Sequence, residues 1–193
     1  IVTWNDYNED SNLMPARFQR GQQREYLNRD ESFLDVTAYH AAWFKSGVKP
    51  PIPQDKVYFT YRNRPTWLTR AWDWREEKWV DITQIPWSRL PFDQIHDDAE
   101  NFVYITAFLT EPATVRISLA GEEKEFAMDA GIQHARMPMA AGVPQVALIR
   151  GGKTLAAASG RKVIVTEPTK ENSPRGYHLL NRTWANAFAI GPV

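Results

Sequence analysis

From residue 56 onward the chain is a series of short β-prone segments, several of them joined by glycine turns. In the segment 113–119, Val115, Ile117 and Leu119 alternate with other residues, which is the period of a strand with one buried face. Many short strands at regular spacing indicate an antiparallel β-sandwich, which we expect over residues 51–193. The predicted strands are Lys56–Arg62, Asn101–Leu109, Ala113–Leu119, Glu125–Met128, Pro144–Arg150, Lys153–Ala157 and Lys162–Thr166.

A helix is predicted directly before this region. Ser32 is a suitable N-cap, and Asp35 three residues later suits a capping box. Apolar residues then recur at helical spacing as far as Phe44, and Gly47 and the proline-rich segment 50–53 end the pattern. A single short helix has no obvious place inside a sandwich, so we expect it to belong to a different unit.

The first residues have the pattern of a buried parallel strand that ends at an active-site edge. Ile1-Val2-Thr3-Trp4 is apolar and β-prone, and a polar turn rich in carboxylates follows at once. The simplest architecture is therefore the last strand and last helix of an α/β (TIM-type) barrel. We expect residues 1–50 to be the C-terminal remnant of such a (β/α)8 catalytic domain, whose active site lies at the strand ends. The missing N-terminal barrel portion is then the expected partner of this chain.

Asp6 and Glu9 form a carboxylate pair just beyond that strand. On a tight turn, both side chains can point into one cleft, which is what glycoside hydrolysis requires of its acid and its base. Trp4 and Tyr7 would offer flat faces to sugar rings, with Asn5 between them. The alternative is that the two acids are solvated loop residues, since acidic pairs are common in loops.

Three segments carry a resemblance to a known family. They are Thr3-Trp4-Asn5-Asp6-Tyr7-Asn8-Glu9, Trp43-Phe44-Lys45-Ser46-Gly47 and the strand that ends in Tyr61-Arg62. Together they resemble glycoside hydrolase family 71, the α-1,3-glucanases or mutanases, and the first segment also resembles family 99. The resemblance implies inverting hydrolysis of an α-glucan, with α-1,3-linked glucan as the leading expectation, no cofactor, and Asp6 and Glu9 as the catalytic pair in unassigned roles. We select Trp4, Asn5 and Tyr7 as substrate-binding residues beside that pair.

Tryptophan is concentrated in one segment: five of the eight lie between Trp67 and Trp87. Exposed indoles beside polar groups are one way in which proteins hold polysaccharides, and we select Trp72 and Trp74 as substrate-binding residues. If they lie on a strand, both point to one side and Asp73 and Arg75 to the other. The alternative is that these rings pack inside the protein, as most tryptophans do.

Composition excludes several classes of function. Lys and Arg balance Asp and Glu at 23 each, which gives no electrostatic support for nucleic-acid or anionic-membrane partners. Cysteine is absent and the four histidines are scattered, so we expect no metal. We expect a secreted or cell-envelope protein that acts on polysaccharide and is inactive without the rest of the barrel. The alternative is a non-catalytic carbohydrate-binding or structural β-sandwich.

Overall fold

The computed structural model describes residues 32–65, 67–81, 101–171 and 173, and the backbone of 183–189. One helix and ten strands lie within these ranges. In chain order they are α1 (Ser32–Ser46), β1 (Lys56–Arg62), β2 (Arg70–Asp73), β3 (Lys78–Asp81), β4 (Phe102–Leu109), β5 (Ala113–Leu119), β6 (Glu122–Met128), β7 (Gly131–Pro138), β8 (Gln145–Arg150), β9 (Lys153–Ser159) and β10 (Thr183–Ala189). Residues 1–31, which include the predicted barrel strand, lie outside the described ranges.

The strands form three antiparallel sheets. One four-stranded sheet has the order β10-β1-β4-β7, the other has the order β6-β5-β8-β9, and β2 pairs with β3 as a separate hairpin. The two four-stranded sheets share one buried cluster, so they pack face to face. The prediction of a mainly β, antiparallel fold is therefore confirmed.

Alternation along the strands builds this core. In β5, Val115, Ile117 and Leu119 point inward, and Arg116 between them reaches Glu125 on β6 at 2.8 Å. The same period two places inward-facing residues on the other central strands. These buried residues are Val57, Phe59 and Tyr61 on β1, Val103, Ile105, Ala107 and Leu109 on β4, and Val146 and Leu148 on β8.

Helix α1 lies against the outer face of the first sheet. The Tyr39 ring meets Phe108 edge to face at 6.1 Å, and the Lys56 ammonium reaches Asp35 at 2.6 Å. The Tyr58 hydroxyl donates to the same Asp35 carboxylate. The helix ends as predicted at Gly47, whose N–H donates to the Trp43 carbonyl at 2.8 Å. Its opposite side stays exposed, so the sheet covers only part of its surface.

The predicted strand over Lys162–Thr166 is wrong. Only Ile164 pairs there, in an isolated bridge with Gly142. The next backbone N–H, that of Val165, donates instead to the carbonyl of Asn63 at 2.9 Å. The segment is β-prone by composition, but its backbone groups form hydrogen bonds with several different partners rather than with one neighbouring strand.

Tyr61 fixes the start of that segment. Its hydroxyl donates to the Lys162 carbonyl at 2.7 Å and accepts from the Lys162 N–H at 3.0 Å. Gly160 lies so close to this hydroxyl that a Cβ there would overlap it. A buried tyrosine on β1 thereby holds a segment 101 residues further along the chain.

A buried ion pair closes one end of the sandwich. The Asp55 carboxylate, 6% exposed, accepts from the Arg150 guanidinium at 2.8 and 3.2 Å and from the Thr110 N–H and hydroxyl at 2.8 and 2.9 Å. Burial raises the pKa of Asp55, but the hydrogen bonds from Arg150 and Thr110 outweigh it, and the pKa lies below the ordinary 3.8. The pair joins the start of β1 to the β4–β5 turn and the end of β8.

Candidate functional site

The predicted catalytic and substrate-binding residues at the start of the chain, Asp6, Glu9, Trp4, Asn5 and Tyr7, lie outside the described residues. The other two predicted substrate-binding residues, Trp72 and Trp74, lie on the β2–β3 hairpin. That hairpin is the part of the candidate site that the structure describes.

The register of the hairpin sorts its side chains into two faces. Trp72 stands opposite Trp79, and Ala71 stands opposite Val80. Ala71 and Asp73 are buried at 2% and 8%, so they form the inner face. Trp72 and Trp79 are partly exposed on the outer face, and their rings meet edge to face at 5.5 Å. The hairpin thus buries its small and acidic residues and turns its large rings outward.

Two side chains, those of Ser173 and Arg64, hold the hairpin in place. The backbone N–H of Trp72 points away from β3 and donates to the Ser173 hydroxyl at 2.8 Å. Ser173 is itself buried and its hydroxyl donates to the Thr169 carbonyl at 2.7 Å. At the same edge of β2, the Arg64 guanidinium donates to the Arg70 carbonyl at 2.8 Å. The hairpin is therefore fixed by side-chain hydrogen bonds, and its free strand edge is capped.

Burial of Arg64 is an electrostatic feature of this region. The side chain is 1% exposed, and this desolvation lowers the pKa of the Arg64 guanidinium to about 10. The group remains cationic at neutral pH. Its charge strengthens the hydrogen bond that it donates to the Arg70 carbonyl on β2.

Cations cover both rings of the outer pair. The Lys170 ammonium lies 3.7 Å from the ring centroid of Trp72, and the Arg70 guanidinium lies 5.3 Å from that of Trp79. Both distances are in the range of cation–π contact. One face of each indole is therefore already occupied by a cation that carries N–H donors.

The structure separates Trp72 from Trp74. Strand β2 ends at Asp73, and Trp74 is the first residue of the turn that leads to β3. The Asp73 carboxylate shapes this turn by accepting from the N–H groups of Arg75 and Glu76 at 2.8 and 3.2 Å. The predicted alternation holds for Trp72 and the buried Asp73, but Arg75 lies in the turn and is exposed.

Trp74 and Trp67 are the two most exposed indoles among the described tryptophans. Trp74 is 41% exposed and its ring N–H donates to the Ser173 carbonyl at 3.1 Å. Trp67 is 59% exposed and lies in the turn between β1 and β2. Sequence reasoning did not select Trp67, Trp79, Lys170 or Ser173. Only the clustering of tryptophans pointed to the first two, and no local pattern pointed to the others.

Two further properties concern the described residues as a group. In the ranges 32–65, 67–81 and 101–171, with 173, no three His, Cys, Asp or Glu residues gather as a metal site. The helix within these ranges is too short and too polar to cross a membrane.

Comparison with known proteins gives one positive result. A family model described as glycosyl hydrolase family 71 matches residues 1–178. The matched range includes Asp6 and Glu9 as well as the hairpin, and it confirms the resemblance found in the sequence. Neither the search of curated proteins nor the search of solved structures found a match.

Proposed function

The chain belongs to glycosyl hydrolase family 71, and from this we propose that it is the C-terminal portion of an enzyme that hydrolyses α-1,3-linked glucan. The observation that carries the proposal is the family match over residues 1–178, which spans the segment with the two predicted catalytic carboxylates. The family assignment supports hydrolysis of an α-glucan. The linkage and the residue roles are part of our proposal.

In the proposed mechanism, Asp6 and Glu9 flank the scissile glycosidic bond. One carboxyl group is protonated and donates its proton to the departing glycosidic oxygen. The other is ionised and takes a proton from a water molecule, which attacks the anomeric carbon from the opposite side and inverts it. After hydrolysis the acid regains a proton from solvent and the base releases one to solvent. This restores both groups, so no cofactor is consumed.

We propose that the surrounding residues hold the sugar. Trp4 and Tyr7 stack on the apolar faces of the pyranose rings, and Asn5 donates or accepts at a hydroxyl. Trp72 and Trp74 extend the contact along the polysaccharide. The remaining strands of a (β/α)8 barrel, outside these 193 residues, complete the site, so the chain alone is inactive. An insoluble cell-wall or extracellular glucan as substrate favours a secreted or cell-envelope location.

The test is hydrolysis of insoluble α-1,3-glucan by the full-length enzyme, measured as released reducing ends. We expect Asp6→Asn and Glu9→Gln each to lower kcat by roughly 10²- to 10⁴-fold, the usual contribution of a general acid or base. Asp10→Asn is the matched control, since it removes a neighbouring carboxylate outside the proposed pair, and it should keep most of the activity.

Two results would contradict the proposal. Full activity of both Asp6→Asn and Glu9→Gln would remove the site assignment. Hydrolysis by the 193-residue chain alone would show that no further barrel strands are required. The anomeric configuration of the first product, followed by NMR, tests inversion separately.

A further inference from the structure

We propose that the β2–β3 hairpin and the turn before it form a polysaccharide-contact surface, in which Trp67 and Trp74 are two separate stacking positions for a neutral α-glucan. The proposal deepens the role given above to Trp74, adds Trp67, and involves neither Asp6 nor Glu9. The choice of α-glucan as ligand rests on the proposed function, whereas the surface itself follows from the exposure and anchoring of the rings.

Trp67 and Trp74 are unusually exposed to solvent for tryptophans. Tryptophan is usually largely buried, because exposing an indole forfeits hydrophobic stabilisation. Trp67 and Trp74 are nonetheless 59% and 41% exposed. The inner face of the same hairpin buries Ala71, the smallest of its side chains, so this element turns its indoles outward and uses its small residue for packing.

Hydrogen bonds hold the Trp74 ring and the turn that carries Trp67. The Trp74 indole is held by its ring N–H at the Ser173 carbonyl, and the buried Ser173 is fixed in turn by its own bonds. Trp67 sits in a turn closed by two backbone hydrogen bonds, from Leu68 to Pro65 and from Thr69 to Trp67. A fixed ring such as that of Trp74, and a ring on a fixed turn such as that of Trp67, lose less conformational entropy when a ligand stacks on them.

The residues between the two rings suit a polar ligand. Arg70 and Lys170 lie over the Trp79 and Trp72 rings and carry N–H donors at the outer face of the hairpin. Because a cation already occupies one face of each of these rings, we assign the stacking positions to Trp67 and Trp74 rather than to Trp72 and Trp79. Donors beside fixed aromatic rings match a sugar, which has an apolar ring face and a rim of hydroxyl groups.

The mixed charges of the hairpin turn and the spacing of Trp67 and Trp74 favour a neutral polymer as the ligand. The exposed turn carries Arg75, Glu76 and Glu77, and the exposed Lys78 begins β3, so both signs are interspersed and no strong positive field attracts an anionic polymer. Trp67 and Trp74 lie beyond opposite ends of β2, a strand of four residues that spans about 10 Å at roughly 3.3 Å per residue. A single sugar does not cover that distance, whereas a glucan chain does.

The experiment is a binding isotherm of the 193-residue chain on insoluble α-1,3-glucan, with all proteins in the Asp6→Asn background so that hydrolysis plays no part. We expect Trp67→Ala and Trp74→Ala each to weaken binding about tenfold, as for an aromatic hot spot, and the double variant to weaken it further. Trp74→Phe keeps a flat ring but loses the donor to Ser173, and it should retain more binding than Trp74→Ala. Circular dichroism checks that each variant is folded.

Phe44→Ala is the matched control, because Phe44 is an aromatic residue that is 91% exposed on α1, away from the hairpin. It should bind like the parent. Parent-like binding by both tryptophan variants, an equal loss with Phe44→Ala, or no binding by the parent chain would each overturn the inference. None of these results bears on the catalytic pair, whose failure is detected separately by unchanged hydrolysis in Asp6→Asn and Glu9→Gln.

Discussion

The sandwich and the β2–β3 hairpin are both antiparallel β-structure, but different forces hold them. The sandwich strands bury Val115, Ile117 and Leu148 at 0% exposure between two sheets. The hairpin buries mainly Ala71 and Asp73, and it depends on hydrogen bonds from Ser173 and Arg64. The sandwich core draws its stability from many apolar contacts, whereas the hairpin rests on a few polar contacts that can be removed singly.

The largest effect should come from the sandwich core. Leu148→Ala removes a fully buried side chain from β8 and should lower the free energy of unfolding by about 3–5 kcal/mol, because a cavity remains. Urea denaturation measures this loss. Leu155→Ala on the neighbouring strand, where the side chain is 41% exposed, should cost well under about 1 kcal/mol. Equal losses of unfolding free energy at the two leucines would contradict the contrast between the buried and the exposed position.

Gly160→Ala should have the next largest effect on the free energy of unfolding. The added Cβ overlaps the hydroxyl of the buried Tyr61, so the ring must shift and weaken its two bonds to Lys162, at about 2–3 kcal/mol. Tyr61→Phe removes the hydroxyl and should relieve part of that cost. A double-mutant cycle on unfolding free energies therefore predicts coupling between the two sites, and strict additivity would refute the contact.

The Asp55–Arg150 pair should make the sandwich sensitive to acid. Since the folded-state pKa of Asp55 lies below its ordinary value of 3.8, the pair stabilises the fold above that pH and loses this contribution as the pH falls through the folded-state pKa. Asp55→Asn should cost about 2 kcal/mol at pH 7. Its stability should also vary less than the parent's below about pH 5. Parallel stability profiles for the two proteins would rule out this role.

The smallest effect belongs to the hairpin. Ser173→Ala removes the acceptor of the Trp72 N–H and should cost about 1 kcal/mol. The loss should be local: hydrogen exchange at Trp72 should accelerate while amides in β5 and β8 keep their protection. Ser118→Ala, which removes an exposed hydroxyl bond to Glu123 at 3.0 Å, is the control that should leave the hairpin unchanged. Acceleration throughout the sandwich would mean that the two regions unfold together.

The sandwich could be predicted well because its signal is local. Alternation in Ala113–Leu119 and the Gly151-Gly152 turn, where both glycines have positive φ, specify strands and their connection without knowledge of distant residues. The helix from Ser32 to Gly47 was predictable for the same reason. Strand β10 was not predicted, although Thr183–Ala189 pairs along the whole of β1, because its alanines and asparagine give a weak strand pattern.

The candidate site was less predictable because its geometry depends on long-range contacts. Trp72 and Trp74 were selected by their clustering, and a strand over both predicts that their rings point the same way. The turn that Asp73 stabilises ends the strand between them. Lys170 and Ser173, about a hundred residues away, decide which ring faces are covered, and no pattern within the hairpin contains that information.

The place of β1 in its sheet has a consequence for how the protein is made. β1 lies between β10 and β4, and β10 is the last strand in the chain that the structure describes. During synthesis, β1 and β4 emerge long before β10, so one edge of β1 stays open while the rest of the sandwich can already form. An open edge of this kind invites pairing with other nascent chains. Loss of β10 through a premature stop would make that exposure permanent, with aggregation as the expected result.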